Sequence, residues 1–372
     1  MLQSIQRRLF ASRGFLVAAC VGTAVACHSS RDLKPTDGGV GADASVNAGK
    51  LVLITEPDQG MTPIYALISS AKHTLDMTMY ELNDTMATNL LVAAAKNGVT
   101  VRVILDQNDE MMSNMAAYTA LTALGASNVT VHWANSVFAA THQKTITVDG
   151  TTSAIMTLNF ASEDYPTSRD FALITTDATD IAAIEKTFEA DLVNGTITPP
   201  NGNDLVWSPT NSQSALSNLI NGAKTSLLVE NEEFGDDAIV QALANAASRG
   251  VEVKLVMEAS KSYDANFSKL QDVGAQVVTY HSDKGIYIHA KIILADYGTP
   301  TATVFLGSEN ISNASLTENR ELGIITSDSA TMTSLYGTLT SDFAGGKSFV
   351  PPKDAGVPND AATPMDASPL YD

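Results

Sequence analysis

The chain has 372 residues, 44% of them hydrophobic and 17% charged, the proportions of a globular protein long enough for one large domain or two average ones. Acidic residues outnumber basic ones 41 to 22, a formal net charge of −19, which disfavours nonspecific gripping of DNA or RNA but leaves room for a local basic pocket. No apolar run reaches the ~18–20 residues of a membrane-spanning helix. The only cysteines, Cys20 and Cys27, exclude a disulfide framework or a cysteine-based zinc site in the body of the chain.

Residues 1–26 read as an export signal. Arg7, Arg8 and Arg13 form its basic segment, Gly14 to Ala26 its apolar stretch, and Ala24-Val25-Ala26 its small-residue cleavage site. Cys27 follows at once, as in a bacterial lipobox, and is the expected lipidation site. The protein is therefore expected in the cell envelope, tethered to a membrane, with plain secretion as the alternative. Residues 27–49, rich in Ser, Gly, Ala and Asp, read as a flexible linker. Beyond it, Leu51 to Ile54 is a short apolar strand, Pro63 to Ala71 has helical spacing, and Thr74 to Tyr80 alternates like a strand. Asn89 to Asn97 reads as a helix capped by Gly98, which leads into a strand from Val99 to Leu105. At the other end, residues 349–372 hold five of the thirteen prolines and read as a disordered tail.

The body of the chain is two copies of one unit. Gly98 to Asp106 (GVTVRVILD) aligns with Gly250 to Glu258 (GVEVKLVME), and Ala71-Lys72 with Ala223-Lys224, without a gap between the two matches. Further on, Gly125-Ala126 matches Gly274-Ala275, and Arg169 matches Arg320. A period this long marks domain-sized units rather than a solenoid; we assign them to residues 50–200 and 201–348. Each alternates strand and helix, which implies an α/β fold with a mixed sheet flanked by helices. Two such units suggest a pseudo-twofold pair, with a site built from both copies on the axis between them.

The first copy contains His142-Gln143-Lys144, with Asp149 five residues beyond the lysine; the second contains His289-Ala290-Lys291, with Asp296 at the same distance. On a strand, positions i and i+2 share a face, so each histidine and its lysine point the same way. Two HxKx4D motifs at equivalent points of a duplicated unit are a strong signal. Gly307-Ser308-Glu309-Asn310 follows the second motif, and Met156-Thr157-Leu158-Asn159 is its counterpart in the first. Asp170 and Glu321, each after an arginine, lie 28 and 32 residues beyond His142 and His289.

These paired motifs resemble the phospholipase D superfamily over roughly residues 50–348. The resemblance implies two phospholipase D-like units and a catalytic set of His142, Lys144, Asp149, His289, Lys291 and Asp296. It also implies that Asp170 and Glu321 orient the imidazoles and that Thr157, Asn159, Ser308 and Asn310 bind substrate. It makes His142 the nucleophile and His289 the general acid.

The chemistry is coherent on its own terms. Phosphodiester cleavage needs a nucleophile, stabilisation of negative oxygens and a proton for the leaving alkoxide. Two histidines across an axis can divide that work, while Lys144, Lys291, Asn159 and Asn310 neutralise the non-bridging oxygens. Asp149 and Asp296 are expected to hold local structure rather than react. Neither a metal nor a cofactor is called for, and a monomer suffices. His73 reads as structural, whereas His132 and His281, just upstream of the motifs, either line the mouth of the site or sit at matching strand ends. Glu232 and Glu233 stand opposite Tyr80 and Glu81; they read as a solvated strand end, or as residues near the lysines that shape headgroup choice. The expected function is an exported phosphodiesterase that hydrolyses glycerophospholipid headgroups through a covalent phosphohistidine. A nuclease with the same catalytic residues, and a lipoprotein that binds phosphate ligands without turnover, are the alternatives.

Overall fold

A computed structural model describes residues 51–281 and 285–352. The export signal, Cys27, the linker and the tail beyond residue 352 lie outside the described residues. The first repeat runs β1 (Val52–Glu56), α1 (Thr62–Ser70), β2 (Thr74–Met79), α2 (Thr85–Lys96), β3 (Thr100–Leu105), α3 (Met111–Thr122), β4 (Val129–Trp133), β5 (Lys144–Val148), β6 (Thr152–Met156), β7 (Ser168–Thr175) and α4 (Ala178–Leu192). The second runs β8 (Leu205–Ser208), α5 (Ser212–Gly222), β9 (Ser226–Asn231), α6 (Asp237–Ser248), β10 (Glu252–Glu258), α7 (Asp264–Asp272), β11 (Gln276–Tyr280), β12 (Tyr287–Ile288), β13 (Lys291–Ala295), β14 (Thr303–Gly307), α8 (Asn313–Thr317), β15 (Glu321–Thr326), α9 (Ser329–Gly345) and β16 (Lys347–Ser348).

The same residues start and stop the helices in both copies. Asp84 and Asp236 cap α2 and α6, accepting from the backbone N–H of Met86 at 2.7 Å and of Ile239 at 2.9 Å. Asp177 and Asp328 do the same for α4 and α9. Each cap satisfies an N–H that the first helical turn leaves without a partner. Gly98 and Gly250, both at φ +88°, turn the chain out of α2 and α6 in a conformation that side chains disfavour.

Each copy builds a mixed sheet among the described residues. The first has the order β1-β7-β6-β5-β2-β3-β4, with β12 added on β7; the second is β16-β11-β10-β9-β13-β14-β15-β8. In each, three strands are parallel (β2, β3 and β4; β9, β10 and β11), and β5 or β13 runs antiparallel beside them. Helices α1 to α3 and α5 to α7 cover one face of each sheet, burying Ile64, Leu91 and Leu121 in the first copy and Leu216, Leu243 and Phe267 in the second. The opposite faces share a third core with α4 and α9: Phe171, Leu173 and Ile184 of the first repeat cluster with Trp207, Leu228, Ile292, Leu306 and Leu335 of the second. The described residues belong to one compact unit. They also extend past the expected end at 348, because Phe349 packs on Phe267 with ring centroids 5.2 Å apart and its N–H donates to Val277.

Two short backbone crossings position the site. β12 pairs in parallel with Ser168–Arg169 of β7, and Thr141 bridges to Arg320 just before β15. Each chain segment leading to a motif histidine is therefore pinned to the other repeat. His142 N–H donates to Arg320 O at 3.0 Å, and His289 N–H to Arg169 O at 3.3 Å. The two arginines are anchored in turn, Arg169 to Asp342 of α9 at 2.6 Å and Arg320 to Asp191 of α4 at 2.9 Å. Among the described residues no helix is long and apolar enough to cross a membrane.

Candidate active site

The site lies where β2 and β9 end and β5 and β13 begin. Met79 stands opposite Lys144, and Asn231 opposite Lys291, so both motifs start at the C-terminal edge of the parallel strands. His142, Lys144, His289 and Lys291 are all buried.

The orienting carboxylates are exchanged between the repeats. His142 Nδ1 lies 2.9 Å from Glu321 Oε2, and His289 Nδ1 lies 2.8 Å from Asp170 Oδ1. Each histidine thus faces the acid of the other copy, not the one 28 or 32 residues further along its own. A carboxylate at Nδ1 fixes that nitrogen as the N–H and turns Nε2 toward the cleft. Both acids are themselves held: Thr157 Oγ1 donates to Asp170 at 2.5 Å, Ser315 Oγ to Glu321 at 2.7 Å, and Asn319 Nδ2 to Glu321 at 3.1 Å.

Of the residues expected to bind substrate, Thr157 and Ser308 bond within the protein. Thr157 is fully buried and spends its hydroxyl on Asp170 and on the N–H of Phe171. Ser308 is also fully buried, and its hydroxyl accepts from Leu322 N–H at 3.1 Å. Asn310 does reach the cluster, with Nδ2 3.4 Å from Glu232. Asn159 is half-buried two residues beyond Thr157.

Asp149 and Asp296, the last members of the two motifs, stand apart from the histidines and lysines. At ~3.3 Å per residue they sit ~16 Å along β5 and β13 from the lysines. Asp149 accepts from the N–H groups of Lys72, His73 and Thr74, and Asp296 from those of Lys224, Thr225 and Ser226. Burial opposes the charge of both, but these donors outweigh it and hold each carboxyl below its usual range. They brace the turn before β2 and β9, and His73 contributes its backbone there. His132 and His281 lie on or just after β4 and β11, three strands from β5 and β13, or ~14 Å at sheet spacing. They are matching strand ends.

Two further residues meet the motifs. The Tyr80 ring packs edge-on against His142 with centroids 4.6 Å apart, and Lys144 Nζ lies 4.8 Å over the same ring. Glu232, at the equivalent place in the second copy, is no solvated strand end. Its carboxylate lies 3.0 Å from Lys291 Nζ and 3.6 Å from His289 Nε2, and it also accepts from the Tyr287 hydroxyl. The signal was the repeat register itself, which sets Tyr80 and Glu232 one residue past the partners of the two lysines.

The electrostatics follow from burial. It pushes the Lys144 ammonium down to about 7, against the opposing pull of Glu321. Burial also lowers His142, with Lys144 adding to the effect and Glu321 resisting it. Glu321 is held below its usual range despite burial, because His142 and Lys144 stabilise its charge. At neutral pH this arrangement leaves an unprotonated Nε2 on His142, facing a cleft with cationic side chains. It can attack an electrophile that carries negative oxygens.

The comparisons agree with this fold. The family model described as "Cardiolipin synthase, PLD-like domain" matches residues 64–192 and again 216–343. Cardiolipin synthase A of Pseudomonas aeruginosa is 27% identical over 139 residues, which are 36% of this chain and 27% of that protein. The probable cardiolipin synthase YwiE of Bacillus subtilis is 28% identical over 146 residues, 38% of this chain and 29% of its own. The match thus spans under a third of either relative. Among solved structures, phosphatidylserine synthase of Haemophilus influenzae superposes with a TM-score of 0.62 at 14% identity, over 82% of this chain and 90% of that one. Polyphosphate kinase of Porphyromonas gingivalis does so with a TM-score of 0.62 at 17% identity, over 79% and 50%. Two copies of the family domain, carrying both His-Lys motifs on two like mixed sheets, make this chain a member of the phospholipase D superfamily.

Proposed function

We propose that the protein is a phospholipase D-type phosphodiesterase that cleaves glycerophospholipid headgroup esters through a phosphohistidine on His142. The observation that carries this reading is the pair of imidazoles, each oriented by a carboxylate of the opposite repeat and accompanied by a buried lysine. In the first step the His142 Nε2 lone pair forms a bond to phosphorus. The bond from phosphorus to the leaving oxygen breaks, and His289 Nε2 gives its proton to that oxygen. In the second step His289 takes a proton from water, whose oxygen attacks phosphorus and releases His142. An alcohol in place of water would make the same site a transferase, and the names of the cardiolipin synthase relatives favour keeping that outcome in view.

The test is turnover by the full chain, in EDTA, of phosphatidylcholine vesicles and of single-stranded DNA. Choline release without nucleotide release is expected. Nucleotide release alone would replace the lipid reading with a nuclease, and no turnover of either by folded protein would favour a phosphate-binding protein. The lipid on Cys27 belongs to the same proposal, because it would hold the enzyme at its substrate. Cys27→Ser should release the protein from membranes, and unchanged association would remove the anchor.

A pH profile follows from the two shifted groups. Activity requires His142 without its proton, and His289 and Lys144 each with one. kcat/KM should rise as pH passes the lowered pKa of His142 and fall as Lys144 deprotonates at about 7. A bound phosphodiester supplies the anion that Lys144 lacks, so the falling limb of kcat should lie at higher pH than that of kcat/KM. Coincident falling limbs would count against Lys144 as the phosphate partner.

A further inference from the structure

The two halves of the cleft are alike in geometry and unlike in charge. In the first, Lys144 donates to His142 O at 2.7 Å and faces the neutral Tyr80 ring. In the second, Lys291 and Asn310, the donors expected to meet a phosphate oxygen, both point at the Glu232 carboxylate, 3.0 and 3.4 Å away. Burial works against the charge of Glu232, yet Lys291 and His289, with the Tyr287 hydroxyl, hold the carboxyl far below its usual range. It therefore keeps its charge at neutral pH. A phosphodiester anion would be repelled by Glu232 and drawn to the first half, where a buried lysine stands over a neutral ring. The other face of the phosphorus, where the alcohol oxygen meets His289, would then lie beside Glu232.

We propose that Glu232 is a specificity-determining residue for the alcohol portion of the substrate. It favours an alcohol with a second hydrogen-bond donor, an ammonium or a hydroxyl group, that its carboxylate accepts. The assignment rests on the phosphodiester reading of the site. The non-bridging oxygens face Lys144 and Asn159, and the alcohol lies between His289 and Glu232. The first half, with Tyr80 at the equivalent position, makes no such demand.

Calorimetric titration of the full chain with O-phosphoethanolamine, glycerol 1-phosphate and propyl phosphate tests this, because the three share a phosphate group and differ in the alcohol. Wild-type protein should bind the first two at least ~10-fold more tightly than propyl phosphate, the scale of one hydrogen bond to a charged group. Glu232→Gln retains an acceptor oxygen but no charge. It should lose most of the preference for phosphoethanolamine while keeping part of that for glycerol phosphate. Glu232→Leu should lose both. A merely structural Glu232 would change all three affinities by one common factor. Unchanged affinity ratios in both variants overturn the proposal, as does failure of the wild type to bind any of the three. Turnover of bis(p-nitrophenyl) phosphate is read separately. Its absence, with the affinity ratios as expected, removes the phosphodiesterase reading and leaves the recognition role standing.

Discussion

His142→Ala and His289→Ala are each expected to lose at least ~100-fold in turnover of a natural glycerophospholipid, the lower bound for removing one acid–base group. Because the two imidazoles act on one phosphorus, the double variant should fall little below the weaker single one. The variants part company on a nitrophenyl phosphodiester, whose leaving group departs without a proton. There His289→Ala should still form an acid-labile phosphohistidine and His142→Ala should form none. The asymmetry has a structural basis. Burial and Lys144 keep His142 unprotonated, as a nucleophile requires. Glu232, 3.6 Å from His289 Nε2, gives a proton on that nitrogen a carboxylate neighbour. Near wild-type turnover of the natural substrate by either single variant would refute a shared site.

The exchange of carboxylates leads to the second large effect. Asp170→Asn and Glu321→Gln replace a hydrogen-bond acceptor with a group that can donate to Nδ1, which upsets the tautomer and removes the charge that stabilises the imidazolium. Losses of ~10³–10⁴ are expected, as in other oriented histidines. Their pattern matters more than their size. Asp170→Asn should resemble His289→Ala, accumulating the adduct with the nitrophenyl diester, although Asp170 belongs to the repeat of His142. Glu321→Gln should resemble His142→Ala and accumulate none. The reverse pattern would mean that each acid serves the histidine of its own repeat.

That exchange marks the boundary of what could be read from the residues. The repeat, the helix ending at Gly98 and the strand from Thr74 onward depend on neighbours in sequence and were legible there. So were the His-Lys pairs, because i and i+2 on a strand share a face. The partner of each histidine depends on how two copies meet, through β12 on β7 and Thr141 against Arg320, and the spacings of 28 and 32 residues carry no trace of it. Thr157 and Ser308 follow the same logic. A hydroxyl two residues from Asn159 or Asn310 looks available for substrate, but the acid and backbone it meets come from the neighbouring strand. Glu232 read two ways, because a glutamate at a strand end is ordinarily solvated. Here Lys291 and Tyr287, both distant in sequence, close over it.

The central claim is a single site, made by both repeats, in which His142 becomes covalently bonded to phosphorus. The most direct measurement is to quench wild-type protein during turnover of a phosphodiester labelled in the phosphoryl portion, digest it without acid, and map the labelled peptide. The account predicts one phosphoryl group per chain, on His142, stable to base and lost in acid. Continued turnover with no adduct on either histidine under conditions that preserve phosphohistidine would contradict it.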